Sequence, residues 1–421
     1  MDDSTRPAYD KWIGQRSLAS VGTNHGSDAL AFQRWHKFKE AFAPEIVAQA
    51  IDRSQLTVTR VLDPFGGSGT TALAAQLLGI SPVTVEVNPY LQDVVESKLV
   101  RYNLDSLLRS AQAVTNAPTT NPSSRWLPPT FVEPGARDRW LFSKSLWSWV
   151  QSTLDEINAL DDANERRLFK VLLGGTLVPI SNVRVSGKGR RYRGHWASHE
   201  TNVEDASELF SQRVDAALED IRNFDDRPTF QYELIRGDSR TSLGTVRDCE
   251  LVVFSPPYPN SFDYTDIYNV ELWALGYLAD MAENRTLRKS TLSSHVQIDR
   301  QFEAAPSGSH SLEKLMVELT GSRDSLWSPK IPTMVGGYFA DMHRVLRACS
   351  DALKQDGQVW MVVGDSQYAS IKVPVAAILG EFAESLGFEL LESYEARSMR
   401  RSPQQGGDAD LAESVLVFRK R

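Results

Sequence analysis

Apolar positions fall into short runs separated by polar and helix-forming stretches. Residues 58–65, VTRVLDPF, are a brief apolar run that leads into a glycine-rich turn. The next stretch, TTALAAQLLG at 70–79, is a helix former that stops at Gly79, and SPVTVEVNP at 81–89 reads as a second strand. Strand, turn, helix and strand in that order open a doubly wound parallel sheet. Further strand runs follow at 230–239, 249–258, 357–366, 388–396 and 414–420, with helices expected at 336–355 and 373–386. Before the first strand, 1–30 look irregular, and 31–52 read as helical apart from a break near Pro44.

Two stretches interrupt the alternation. Residues 90–225 carry few strand signals and several amphipathic helical patterns, with a Pro/Asn/Thr/Ser-rich loop at 115–130. Residues 285–330 are polar and Ser-rich, as in a second insertion or lid. The sheet is therefore expected in two pieces, 1–100 and 226–421, around a mostly helical insertion at 101–225, with a smaller insertion at about 285–330.

Composition narrows the class without changing this picture. Among 421 residues, a hydrophobic share of 41% suits a globular chain with a real core. The net charge of -8 excludes an overall polycation but leaves room for a local basic face on a nucleic-acid binder. Two cysteines, Cys249 and Cys349, are too few for a disulfide framework or a four-cysteine zinc site. No apolar run approaches the roughly 20 residues of a membrane span, and the N-terminus lacks a signal-peptide apolar region. A soluble, cytoplasmic protein with no membrane association is expected.

Candidate chemistry starts at the turn Asp63-Pro64-Phe65-Gly66-Gly67-Ser68-Gly69-Thr70-Thr71. Glycines after a strand let a ligand approach the backbone, and the following helix offers free N–H groups. Gly67-x-Gly69-x-x-Ala72, with Glu86 downstream, also matches a dinucleotide fingerprint, so the turn alone leaves a nicotinamide dehydrogenase open. The missing Gly-Lys-Ser/Thr excludes the usual triphosphatase loop. Glu86 ends the second strand, where it can accept hydrogen bonds from two ribose hydroxyls. Asp63 can hold a cationic or amino group, and Asp238, at the end of a later strand, can read an adenine amino group. One acid for each part of an adenosyl amino acid makes a coherent site at the carboxyl ends of the strands.

Ser255-Pro256-Pro257-Tyr258 follows the apolar run LVVF. Two prolines fix the backbone and remove donors, leaving carbonyls aimed outward. An exocyclic amine on a base is a poor nucleophile because its lone pair is delocalised into the ring. Acceptors at Ser255 and at the Pro256 carbonyl can take both N–H groups and localise that lone pair. Tyr258 can stack on a base taken out of its helix. A dehydrogenase gives this tetrapeptide no role.

The turn at 63–71 and Ser-Pro-Pro-Tyr at 255–258 together resemble the amino-methyltransferases of DNA, which make N4-methylcytosine or N6-methyladenine. HKFKEAFAPEIVAQAI at 36–51 is similar to the motif that precedes the cofactor strand in that family, which implies cofactor roles for Phe42, Pro44 and Glu45. The resemblance covers roughly 30–100 and 230–421. It implies an α/β fold with a doubly wound Rossmann-like methyltransferase sheet, mostly parallel with an antiparallel last strand. It further implies S-adenosyl-L-methionine as cofactor, DNA as partner and no metal; the setting is restriction–modification or phage defence, with a cognate restriction endonuclease or defence-system protein, or that of a solitary genome-marking enzyme. Asp63, Pro64, Phe65, Gly66, Gly67, Ser68, Gly69, Thr70, Glu86 and Asp238 would bind the cofactor. Ser at the first catalytic position resembles the N4-cytosine members, where adenine members more often carry Asp or Asn. Cytosine N4 is the expected target, adenine N6 the alternative, and RNA base methylation or a catalytically dead DNA-binding scaffold the more distant ones.

Because the chain ends at the last strand run, target recognition is expected from the insertions. The densest basic and aromatic cluster, 186–196, contains Lys188, Arg190, Arg191, Tyr192 and Arg193 and is expected to form a mobile DNA-contacting loop. A second cluster, Arg397 to Arg401, is a weaker candidate.

Overall fold

A computed structural model describes residues 6–14, 16, 26–38, 40–119, 125–186, 189–198, 201–399 and 411–421. Seven strands form the central sheet: β1 (Arg60–Asp63), β2 (Ser81–Glu86), β3 (Glu233–Arg236), β4 (Cys249–Phe254), β5 (Leu353–Gly364), β6 (Phe388–Met399) and β7 (Leu411–Lys420). Their spatial order is β6-β7-β5-β4-β1-β2-β3. The pairings from β5 across to β3 are all parallel, while β7 runs antiparallel between β5 and β6. Without β7 this is the 3-2-1-4-5-6 order of doubly wound sheets, whose ligands bind outside the carboxyl ends of the strands near the point where strand order reverses. That point lies between β1 and β4.

Period-two side-chain alternation divides the core. Val61, Leu251 and Val253 belong to one hydrophobic cluster, while Leu62, Val252 and Phe254 belong to the other. Both sets are fully buried, as expected of central parallel strands covered on two faces. On the first face lie α1 (Glu45–Asp52), α2 (Thr70–Leu77) and α3 (Pro89–Leu99). The second face is covered by His310–Gly321, Ile331–Ala352 and Val375–Ser385.

The stretch 101–225 is dominated by α4 (Leu104–Thr115), α5 (Lys144–Ala159), α6 (Ala163–Ile180) and α7 (Val203–Asn223). Their buried residues, such as Leu107, Val150, Phe169 and Phe210, are in the same cluster as Tyr90 and Val94 of α3. The helices thus extend the core of the sheet's first face.

Three expectations are corrected. The stretch expected to be irregular before residue 31 contains a helix, Arg6–Ile13, with Tyr9 and Trp12 buried. The described residues of 31–44 are not helical beyond one short turn at Gln33–Trp35. The Phe32 amide and the Trp35 indole N–H both donate to Asp220 Oδ2, at 2.9 and 2.8 Å, and this distant anchor holds the segment in an irregular path. Helix begins only after Pro44, which stands at the N-cap of α1. The basic cluster is not simply a loop: Val183–Ser186 and Gly189–Tyr192 pair as an antiparallel ribbon. No helix among the described residues is long and apolar enough to cross a membrane.

Candidate active site

Three acids stand at the carboxyl ends of three neighbouring strands. Asp63 ends β1 and Glu86 ends β2; Asp238 follows β3 and caps the turn Ser239–Ser242. The glycine-rich turn lies between the first two. Gly67 and Gly69 hold φ of 51° and 79°, a region that disfavours side chains. The Gly66 amide donates to the Val85 carbonyl at 2.9 Å, and a Cβ on Gly66 would fall 2.3 Å from Thr84 Cγ2. The turn therefore lies flat on β2, with its backbone exposed to the ligand side and the N-terminus of α2 behind it.

The acids differ in electrostatics. Glu86 Oε2 accepts from the Gly67 amide at 2.7 Å and Oε1 from the Asn88 amide at 2.8 Å. Asp63 Oδ1 accepts from the Phe65 amide at 2.9 Å. Burial pushes both carboxyls up to about 7, against the lowering effect of these amides. Among the described residues neither is in an ion pair. Asp238, by contrast, is paired with Arg240, whose Nε lies 2.9 Å from Oδ1, and Arg240 also reaches Asp341 at 3.2 Å. Two uncompensated buried acids fit a ligand that carries a cation and hydroxyl donors. Ser68 Oγ, buried with no hydrogen-bond partner among the described residues, faces the same need.

A cavity of about 340 Å³ joins this region to the tetrapeptide. It is in the size range of small-molecule sites. Asp63, Pro64, Phe65, Gly66, Gly67, Ser68, Thr70, Glu86 and Asp238 line it, as do Phe42 and all four of Ser255, Pro256, Pro257 and Tyr258. Gly69 sits behind the turn, where a Cβ would meet Val95. Pro44 and Glu45 lie away from the cavity; Glu45 is paired with Arg16 at 3.6 Å.

Ser255 directly follows β4, which delivers the tetrapeptide to the cavity beside the turn at the end of β1. Ser255 Oγ lies 3.3 Å from Tyr258 Oη, and Tyr258 Oη donates to Glu413 Oε1 at 3.0 Å. Glu413 is in turn paired with Arg397, whose Nε is 2.6 Å from Oε2. Sequence reasoning missed Glu413 and offered Arg397 only as part of the weaker DNA-contact candidate. The signal available was a base just after one strand run and an acid just before the next, but it needs the β6/β7 register to be used. Sequence reasoning also missed Lys98, whose fully buried Nζ donates to the Ser68 carbonyl at 2.6 Å and to Gln33 Oε1 at 2.9 Å. Burial pushes this amine down to about 7.

Several polar and aromatic residues near the two motifs take structural positions. Arg34 and Trp35 bind Asp220 of α7, and His36 Nδ1 meets Tyr90 Oη at 2.9 Å. Asp263 caps Tyr264–Ile267 and receives Arg288 Nε at 2.7 Å. Glu271 and Trp273 are buried in Asn269–Ala274. The expected DNA-contacting set is divided. Arg193 donates to the Ser181, Val178 and Pro179 carbonyls at the end of α6. Arg190 has a buried terminal nitrogen and acts electrostatically on Glu271, whose carboxyl burial pushes up to about 8. Arg191 is exposed, directly opposite exposed Arg184. Tyr192 stands 5.2 Å from Trp196, with Arg139 over its ring. Lys188 lies outside the described residues, as do Arg400 and Arg401.

The sheet order and the site at its carboxyl edge define a Rossmann-like methyltransferase fold. No family model matches the chain. It is 25% identical to the type II methyltransferase M.BsoBI of Geobacillus stearothermophilus, across 96% of this chain and 88% of that protein. It is 26% identical to M.AvaI of a Nostoc strain, across 92% and 86%. M.MjaII of Methanocaldococcus jannaschii matches at 31% over 72 residues only. The chain is thus a homologue of type II DNA methyltransferases, at modest identity over most of its length, and the family resemblance read from the two motifs is borne out. Solved structures similar to it include TrmN of Thermus thermophilus (10% identity, 90% of this chain and 48% of that one, TM-score 0.28). Another is a putative sarcosine dimethylglycine methyltransferase of Galdieria sulphuraria (9%, 100% and 97%, TM-score 0.29). Likeness at that level carries no weight beside the sheet order itself.

Proposed function

We propose that the protein transfers a methyl group from S-adenosylmethionine to the exocyclic N4 of cytosine in DNA, in a restriction–modification setting. The observation that carries this reading is the shared cavity: the glycine-rich turn, Glu86 and Ser255–Tyr258 open onto one space. The type II relatives support DNA as substrate. Bound in that cavity, S-adenosylmethionine would supply an electrophilic methyl on a sulfonium: the amine lone pair would form the N–C bond, the C–S electron pair would stay with sulfur, and the surplus proton on nitrogen would pass to solvent water.

The chain's own residues do the rest. Glu86 accepts from ribose hydroxyls and Asp63 holds the cationic end, while the flat backbone of Gly66 and Gly67 permits close approach. Asp238 reads the adenine amino group. Ser255 Oγ and the Pro256 carbonyl accept from the target amine and localise its lone pair, so much of the catalysis is orientation. Tyr258 stacks on the extruded base. We assign target recognition to 101–225. In its ribbon, Arg184 and Arg191 face each other across the strands, a like-charge juxtaposition that costs stability until an anion lies over it. The ribbon lies against the segment that follows the catalytic motif, since a Cβ on Gly189 would be 3.9 Å from Asp266 Oδ2. Phosphate contacts there would fix the register of the DNA relative to the segment that follows the catalytic motif.

The test is incubation with duplex DNA and methyl-labelled cofactor, digestion to nucleosides, and chromatography. Label in N4-methylcytosine supports the reading; label only in N6-methyladenine moves the assignment to adenine; label in RNA alone overturns it.

A further inference from the structure

Glu413 and Arg397 lie outside both motifs, yet they are connected to the proposed nucleophile site through Tyr258. Glu413 is on β7 and Arg397 opposite it on β6, and both line the cavity. The Glu413 side chain is only 4% exposed and its charge is compensated by the Arg397 guanidinium. A carboxylate held by a guanidinium is an acceptor only. The Tyr258 hydroxyl, 3.0 Å from Glu413 Oε1, must therefore donate to it. The single phenolic proton is then spent, and Tyr258 Oη can only accept along any other hydrogen bond it makes. The contact with Ser255 Oγ at 3.3 Å is consequently made with the serine proton.

We propose that Arg397, Glu413 and Tyr258 form a polarity relay that turns the Ser255 hydroxyl proton away from the target amine, so that Ser255 presents lone pairs to it. This inference rests on the amino-methyltransferase reading above and gives it a missing element. A serine hydroxyl is both donor and acceptor, so Ser255 alone does not guarantee an acceptor. A hydroxyl that donated to the amine nitrogen would occupy the lone pair that must attack. An aspartate at the first position would need no such relay, because it has no proton to misdirect. Glu413 and Arg397 are positioning residues in this scheme.

The test is a double-mutant cycle on the full-length protein. Tyr258→Phe keeps the ring and removes the relay oxygen. Glu413→Gln can donate its amide proton to Tyr258 Oη, which reverses the relay and sends the tyrosine proton toward Ser255. Each single change is expected to lower kcat on the order of ten- to a hundredfold, the scale of one misdirected hydrogen bond in the transition state. Cofactor Kd, measured by calorimetry, is expected to stay within about twofold, because the relay touches no residue of the cofactor loop. In the Tyr258→Phe background, adding Glu413→Gln is expected to cost less than about threefold more. Multiplicative losses would overturn the relay, as would an unchanged kcat in Tyr258→Phe. If Glu413→Gln loses cofactor binding through misfolding, Tyr258→Phe and Arg397→Met decide: the relay requires both to lower kcat at constant cofactor Kd. Wild-type protein that methylates no base amine would instead overturn the functional reading, so the two failures are distinguishable.

Discussion

Replacing Glu86 by glutamine separates ligand binding from stability. Burial carries the Glu86 carboxyl from 4.5 up to about 7. At ~1.4 kcal/mol per unit, ionising it at pH 8 costs the folded protein about 3 kcal/mol. Glutamine removes that cost. It also replaces one of the two acceptors for the Gly67 and Asn88 amides with an NH2 group. A hydrogen bond to a charged acceptor contributes about 1.5–3 kcal/mol. The two effects offset to within about 2 kcal/mol, so Tm at pH 8 is expected to move by only a few degrees, in either direction. Cofactor binding has no such compensation. Losing a charged acceptor for ribose hydroxyls is expected to weaken Kd roughly ten- to a hundredfold. Calorimetric titration and thermal melting at pH 8 measure both. A variant that binds cofactor normally, or one that melts more than about 10 °C lower, would refute the assignment of Glu86 as a ligand-directed acid held against its own solvation.

The geometry sets four further outcomes. Gly66→Ala places a methyl 2.3 Å from Thr84 Cγ2 and must lift the turn off β2, so cofactor affinity should fall at least about tenfold, read by the same titration. Asp63 and Glu86 both sit near 7, raised by burial, and cationic ligand binding favours their ionised forms. Cofactor affinity should therefore weaken as pH falls below 7, by up to about tenfold per unit per proton, and level off above 8. Proton release on binding at pH 6.5 should show in buffers of different ionisation enthalpy, and proton uptake there would be the wrong sign. Arg191→Ala should weaken DNA binding and flatten its salt dependence with little change in Tm. Arg193→Ala, which strips the carbonyls closing α6, should lower Tm instead.

What the sequence revealed depended on how local each determinant is. The strands β1 and β4 are legible because alternating burial writes Val61/Leu62 and Leu251/Val252 as short apolar runs on either face. The acids at strand ends and the tetrapeptide are legible because each sits next to its strand in the chain. Residues 31–44 were misread because their path is set by Asp220, 188 positions from Phe32, and no local periodicity encodes that anchor. The ribbon of 183–186 and 189–192 was misread because Val183 and Val185 give only one step of alternation and Gly189, Arg190 and Arg191 do not continue it. Glu413 was invisible for a third reason: its meaning comes from the register of β7 against β6 and from the approach of Tyr258, both tertiary facts.

The most direct measurement is nucleoside analysis of duplex DNA after incubation with the protein and methyl-labelled S-adenosylmethionine. The account predicts label in N4-methylcytosine, abolished by Ser255→Ala in a protein that still binds cofactor. Label confined to N6-methyladenine, or absent from DNA while cofactor binds normally, would contradict it.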